Sequence, residues 1–244
     1  MNNKVLFTLL IAACSVFSVK AQEQGILAFK SDFPELAKPL LLKELQQDLP
    51  NKAEICFYLG NVYFKENILD SAKYYFDEGL KLDPLSGQNA VGLVMLKMKN
   101  ADRKALDAEL NAIFKQKQNK KDVRVYVAAS YAFLYNGRDV DALEYQGKAR
   151  GIDKKSPLVY ILEGDILAPK GAGNAAGRYE MAITYDENCK EAYLKYARIY
   201  KRVNADEAIA KLKVLEEKDP NFTLIYRELG DVYYDINKFK EAAE

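Results

Sequence analysis

Histidine is absent from the 244-residue sequence, and so is tryptophan. Histidine is the side chain that most often acts as an acid or base near neutral pH, and it completes Ser-His-Asp triads and HExxH zinc motifs. The sequence therefore excludes all of these sites. It also offers no cluster of metal ligands and no motif for an activated nucleophile. We expect neither a cofactor nor an enzymatic activity.

The sequence also lacks an excess of charge of either sign. It has 36 basic and 35 acidic residues, and its formal net charge is +1. Proteins that bind DNA or RNA need a basic surface to neutralise phosphate groups. The balance therefore argues against a nucleic-acid partner.

Long apolar runs occur only at the N-terminus. After Lys4, residues 5–19 are mostly apolar, and small residues suited to cleavage lead up to Ala21. The run is shorter than the roughly 20 residues that a membrane-spanning helix needs. This layout predicts a signal peptide over residues 1–21, with Gln22 as the new N-terminus, and hence export to the periplasm or the outer membrane.

A second processing route stays open within the same segment. Residues 11–14, Ile-Ala-Ala-Cys, resemble the lipobox of bacterial lipoproteins, in which Cys14 would be acylated and become the first residue. The apolar run continues past Cys14, which favours ordinary cleavage. We expect contact with a membrane only if Cys14 is lipidated.

A repeating pattern occupies most of the remaining chain, and it is clearest in residues 53–86. That unit reads Cys56-x2-Leu59-Gly60-x2-Tyr63, then Ala72-x3-Phe76, then Asp83-Pro84. Residues four apart share one face of a helix, so the spacing predicts two packed helices followed by a stop at proline. Gly60 has no side chain, which would let the second helix approach closely.

This unit resembles the tetratricopeptide repeat, whose signature is W-x2-L-G-x2-Y, then A-x3-F, then P over 34 residues. Cys56 replaces the tryptophan. Similar units begin near residues 87, 123, 157, 190 and 223, and the last is incomplete. The resemblance implies an all-α fold, a right-handed solenoid of about six helix pairs over residues 53–244. Residues 22–52 are expected to form an N-terminal helical segment, a partial repeat with Ala37 and Leu41 in its seam.

In this family the first helix of each unit lines a concave groove that binds a protein or peptide. Carrying those positions over from the first, third and fifth units predicts the partner-binding residues Phe57, Asn61, Phe64, Arg124, Val127, Tyr131, Tyr135, Leu194, Arg198 and Arg202. The same positions also include Glu54, Lys65, Leu134, Glu191 and Lys201. Such a mixture of aromatic and basic residues would suit an extended or helical segment.

The two remaining cysteines, Cys56 and Cys189, lie four repeats apart in this register. That separation exceeds the roughly 4.4–6.8 Å between Cα atoms that a disulfide requires, so we expect two packed thiols.

The resemblance implies a protein-interaction scaffold or adaptor of the bacterial cell envelope. One alternative is the targeting arm of a longer protein, with a catalytic or effector domain beyond residue 244. Another is self-association through the uncovered seam of the last unit, since repeat arrays normally end in a polar cap.

Overall fold

The computed structural model describes residues 24–243, so the expected signal peptide and Cys14 lie outside the described part. Within residues 24–243 the chain forms fourteen α-helices and one short 3-10 turn, and no β-strand. The helices are α1 (Gln24–Lys30), α2 (Pro34–Leu45), α3 (Lys52–Lys65), α4 (Leu69–Leu82), α5 (Gly87–Met95), α6 (Arg103–Lys115), α7 (Val123–Tyr135), α8 (Asp139–Ile152), α9 (Pro157–Leu167), α10 (Ala172–Tyr185), α11 (Lys190–Tyr200), α12 (Ala205–Lys218), α13 (Thr223–Asp235) and α14 (Phe239–Ala243).

Consecutive helices pack as seven pairs, beginning with α1 and α2. The first helices of most neighbouring pairs also contact each other, for example α3 with α5 and α5 with α7. Each pair therefore buries one face within itself and another against its neighbours, as stacking in a solenoid requires.

Short polar side chains fix the points where several helices begin. Ser86, Asp102 and Asn204 each accept a hydrogen bond from the backbone N–H three residues later. These bonds satisfy N–H groups that have no partner inside the helix. Asp83, which ends α4, has an extended backbone that turns the chain toward the next pair.

Small residues on the first helices make room for large ones on the second. Phe76 on α4 is fully buried, and a Cβ atom added to either Gly60 on α3 or Gly92 on α5 would overlap with its ring. A Cβ atom added to Gly164 on α9 would likewise overlap with the ring of Tyr179 on α10. Glycine at these positions therefore sets how closely the helices approach within and between pairs.

The N-terminal pair begins with a short helix, because α1 has only 7 residues. Ala37 and Leu41 on α2 are fully buried against it. Pro34 occupies the first turn of α2, where a missing N–H costs nothing, and Pro39 lies inside the helix.

The N-terminal pair also contacts the far end of the solenoid, which the repeat pattern did not predict. Arg198 on α11 donates from Nη1 to the carbonyl oxygens of Ser31 (2.5 Å) and Asp32 (3.2 Å). The guanidinium groups of Arg198 and Arg227 lie 4.4 and 5.3 Å from the centre of the Phe33 ring. We call this set of interactions the closure contact. It joins the start of the array to its last two pairs.

Cys56 is buried and Cys189 is partly buried, and both are unpaired thiols, as expected. None of the described helices combines the length and apolar composition needed to cross a membrane.

Candidate functional site

The closure contact turns the concave side of the solenoid into a cavity of about 350 Å³. Its walls come mainly from the first helices α1, α3, α7, α9 and α11. The volume lies at the lower end of the roughly 300–1,000 Å³ that is typical of small-ligand sites.

Seven of the ten predicted partner-binding residues line this cavity: Phe57, Asn61, Arg124, Val127, Tyr131, Tyr135 and Arg198. Glu54, Lys65, Leu134 and Glu191, from the same positions of the repeats, line it as well.

The other three predicted residues lie elsewhere. Leu194 is 0% exposed, because the face of α11 that carries it packs into the core. Phe64 is partly buried against the core, outside the cavity. α11 ends at Tyr200, so Arg202 lies on the exposed turn that follows.

The carboxylate of Asp165 on α9 is the centre of a polar network at one end of the cavity. Tyr131 donates its hydroxyl hydrogen to Oδ2 at 2.6 Å, and Tyr179 donates to Oδ1 at 2.8 Å. Lys195 Nζ donates to both oxygens, at 2.9 and 2.8 Å, and to Asp32 Oδ2 at 3.2 Å. We call these residues the Asp165 network. It ties α7, α9, α10 and α11 to the N-terminal turn.

Electrostatics keep Lys195 charged and Tyr131 protonated in this network. Lys195 is only 6% exposed, and burial alone would lower its pKa. The charges of Asp165 and Asp32 outweigh burial and raise the pKa of Lys195 well above 10.5. Burial and the charge of Asp165 likewise raise the pKa of Tyr131, which therefore stays protonated and donates its hydrogen bond.

The cavity wall also carries two carboxylates without close partners. Glu191 on α11 is 7% exposed, and no described residue gives it a hydrogen bond or an ion pair within 4.0 Å. Burial raises the pKa of Glu191 to about 7, although Lys30 and Lys195 act in the opposite direction. Glu54 on α3 also lacks a hydrogen bond or close ion pair among residues 24–243.

Aromatic rings line much of the cavity, and several of them already face ammonium groups. Tyr131 and Tyr135 stack with their ring centres 5.6 Å apart. Lys65 Nζ lies 4.9 Å from the centre of the Phe29 ring and 4.6 Å from that of Tyr135. Cations are attracted to the faces of such rings.

The sequence reasoning missed several cavity residues for two different reasons. Phe29, Lys30 and Asp32 come from the N-terminal pair, which was given no groove positions. Packing of α1 on α3 and the closure contact bring them to the cavity. Asp165 lies at the ninth position of the fourth unit, to which the groove positions were not applied. In the fourth unit the groove positions correspond to Leu158, Ile161, Asp165, Ala168 and Pro169, and all five residues line the cavity.

Residues 24–243 contain no group of three or more His, Cys, Asp or Glu side chains placed to hold a metal ion. What the cavity offers is therefore an aromatic surface with fixed charges, suited to binding.

Comparison with known proteins agrees with this fold. Residues 53–86 match the model of the tetratricopeptide repeat family. No curated protein sequence matches the chain significantly.

Three solved structures illustrate the likeness. A thermophilic tetratricopeptide repeat protein from Thermus thermophilus is 17% identical, with 75% of this chain and 99% of that chain covered and a TM-score of 0.50. A tetratricopeptide repeat protein from Parabacteroides merdae is 14% identical, with 91% and 90% covered and a TM-score of 0.49. A chain of the APC/C hetero-tetramer Cut9–Hcn1 is 16% identical with a TM-score of 0.48, and the match covers 88% of this chain but only 42% of that one.

At 17% identity the Thermus thermophilus structure supports the fold alone. The family match lies on the unit in which the repeat signature is clearest, and that unit is one of a series of stacked helix pairs. Residues 53–86 match the tetratricopeptide repeat family, and the described helix pairs on either side of them continue the same fold.

Proposed function

We propose that this protein is an interaction scaffold that binds a segment of a partner protein at the cavity on its concave side. The tetratricopeptide fold is that of a protein-interaction scaffold. The observation that carries the proposal is the composition of the cavity: aromatic rings and two unpartnered carboxylates from several helices converge on one space. A core that served stability alone would pair or exclude those charges.

Tyr135 is the residue best suited to test the proposal. Its ring lines the cavity, stacks on Tyr131 and faces the ammonium group of Lys65. We expect Tyr135→Ala to weaken partner binding. A matched control is Tyr74→Ala, because Tyr74 is 56% exposed on α4 and lies outside the cavity.

The experiment is an affinity purification of the tagged protein from its own cells, with quantitative mass spectrometry of the proteins that co-elute. A partner recovered with the parent and with Tyr74→Ala, and depleted with Tyr135→Ala, supports the proposal. Equal recovery with both variants contradicts it, because the cavity would then play no part in binding.

We further propose that the protein acts as an adaptor in the bacterial cell envelope. The support comes from residues 1–21, which have the layout of an export signal. Mass spectrometry of the mature N-terminus tests this proposal. A chain that begins at Gln22 supports export and cleavage, an acylated N-terminal Cys14 supports a lipid anchor, and an intact Met1 contradicts both.

A further inference from the structure

We propose that the end of the cavity formed by Glu54, Tyr58 and Glu191 binds a cationic group on an apolar stem, an ammonium or a guanidinium. We call these three residues the acidic end. The inference rests on the cavity being the binding site, as proposed above. It adds the chemical class of the group that the site binds, because the repeat fold alone does not determine that class.

The first reason is the position of Glu191. Glu191 as a residue is more than nine-tenths buried, lines the cavity and receives no hydrogen bond from any described residue. A buried polar group is normally paired, because removing it from water without a partner is costly. A cation that entered the cavity would supply the missing partner.

The second reason is that charge at the acidic end is not balanced by the protein. Lys30 is the cation with the largest effect on Glu191, and its Nζ lies 5.7 Å from the centre of the Tyr58 ring. Lys30 makes no ion pair within 4.0 Å to any described carboxylate. Arg124 is also near Glu54, but its guanidinium is held by Asp122 at 2.7 Å. Lys195 also acts on Glu191, but its ammonium group is already paired with Asp165 and Asp32, so Lys30 is the cation acting on Glu191 that has no carboxylate partner among the described residues.

The third reason is that the rings around the cavity already hold ammonium groups against their faces. Lys30 lies near Tyr58, and Lys65 lies against Phe29 and Tyr135. An incoming cation would use the same attraction to an aromatic face, while its apolar stem would contact the other rings.

Two other cations that line the cavity are less available to a ligand. Lys195 is saturated by Asp165 and Asp32, and Arg198 by Glu228 at 2.6 Å and by two backbone carbonyls. Lys65 is the cation that an anionic ligand would use, so an anionic probe belongs in the test.

The test compares three probes that share one shape: the N-acetyl N-methylamide derivatives of lysine, norleucine and glutamate. Binding is followed by titration of the full mature chain, with chemical shifts of the cavity tyrosines as the readout. We expect the lysine derivative to bind at least tenfold more tightly than either of the others. Glu191→Gln and Glu54→Gln should each weaken its binding by tenfold or more.

Glu187→Gln is the matched control, because Glu187 loses the same charge but is 76% exposed and lies outside the cavity. It should leave lysine-probe binding unchanged. Pentylamine, added as a fourth probe, distinguishes the source of the cation. Tighter binding of the lysine derivative indicates a polypeptide side chain, and tighter binding of pentylamine indicates a free amine. Both outcomes support a cation site.

Two results would overturn the inference. One is binding of the glutamate or norleucine derivative as tight as that of the lysine derivative. The other is the absence of any shift at the cavity tyrosines. In either case a Tyr135-dependent partner would still support the proposed function, so failure of the inference and failure of the proposed function remain distinguishable.

Discussion

Glu191 should make the protein less stable as the pH rises, and Glu191→Gln should remove that dependence. The groups that act on this carboxylate are Lys30 and Lys195, which lower its pKa, and Asp165 and Asp32, which raise it. Burial is the largest effect, and the folded-state pKa is about 7 against an ordinary value of 4.5. The folded protein therefore binds this proton more tightly than the unfolded chain does.

The sign and size follow from linkage. For an acid whose pKa is raised by folding, stability is highest below the unfolded value, near pH 4.5, and is lost as the pH rises toward about 7. At about 1.4 kcal/mol per pKa unit, the loss is on the order of 3 kcal/mol. Glu191→Gln should thus match the parent near pH 4.5 and exceed its free energy of unfolding by up to roughly 3 kcal/mol at pH 8.

Urea unfolding followed by circular dichroism at pH 4.5, 6 and 8 measures the difference. Glu187→Gln serves again as the control, because its exposed carboxylate should give curves that run parallel to the parent. If Glu191→Gln is less stable than the parent at pH 8, the carboxylate stabilises the fold through Lys30, and the argument from an unpaired buried charge is wrong.

Three further substitutions test the packing and the polar contacts. Gly60→Ala should cost roughly 1–3 kcal/mol in thermal unfolding, because the new methyl group overlaps with the Phe76 ring. Lys195→Met should cost roughly 3 kcal/mol in urea unfolding at pH 7, because it leaves the partly buried carboxylate of Asp165 with only two tyrosine hydroxyls as donors. Arg198→Ala should speed hydrogen exchange in α1, because it removes the bonds of the closure contact, while exchange in α5–α8 stays unchanged.

Each of these has a result that would contradict it. Gly151→Ala is the control for Gly60→Ala, since a Cβ atom at Gly151 would meet nothing within 4 Å, and equal effects of the two would argue against close helix approach. If Lys195→Met leaves the free energy of unfolding unchanged, the Asp165 network adds nothing to stability. Unchanged exchange in α1 with Arg198→Ala would mean that α1 is held by its packing on α2 and α3 alone.

The helix pairs could be predicted because their physical cause is local. Leu59, Gly60 and Phe76 are close in sequence, and the fit of a ring over a glycine depends only on spacing within one unit and its neighbour. The same fit recurs at Gly164 and Tyr179, in a unit whose signature is weaker.

The cavity could be predicted only in part, because groove positions assume that every first helix has the same length and rotation. They apply well to α7 and to α3, where Phe64 alone falls outside the cavity. They fail at the end of α11, where the helix stops at Tyr200 and Arg202 falls outside, and at Leu194, which α11 turns into the core. These departures depend on the packing between particular helix pairs, and the sequence pattern of a single repeat does not predict that packing.

The closure contact could not be predicted at all from the repeat pattern, and it changes what the concave side can bind. Arg198 and Ser31 are 167 residues apart, and no spacing rule links them. An open groove would accept an extended or helical segment along its length. The closed arrangement leaves about 350 Å³, which suits a protruding side chain better than a helix about 10–12 Å across. A partner that inserts a whole helix must first break the bonds that Arg198 makes to the N-terminal turn. A partner that inserts one cationic side chain can leave them intact. Arg198→Ala would therefore strengthen the binding of a partner that inserts a helix, and it would not change the binding of a partner that inserts a single side chain.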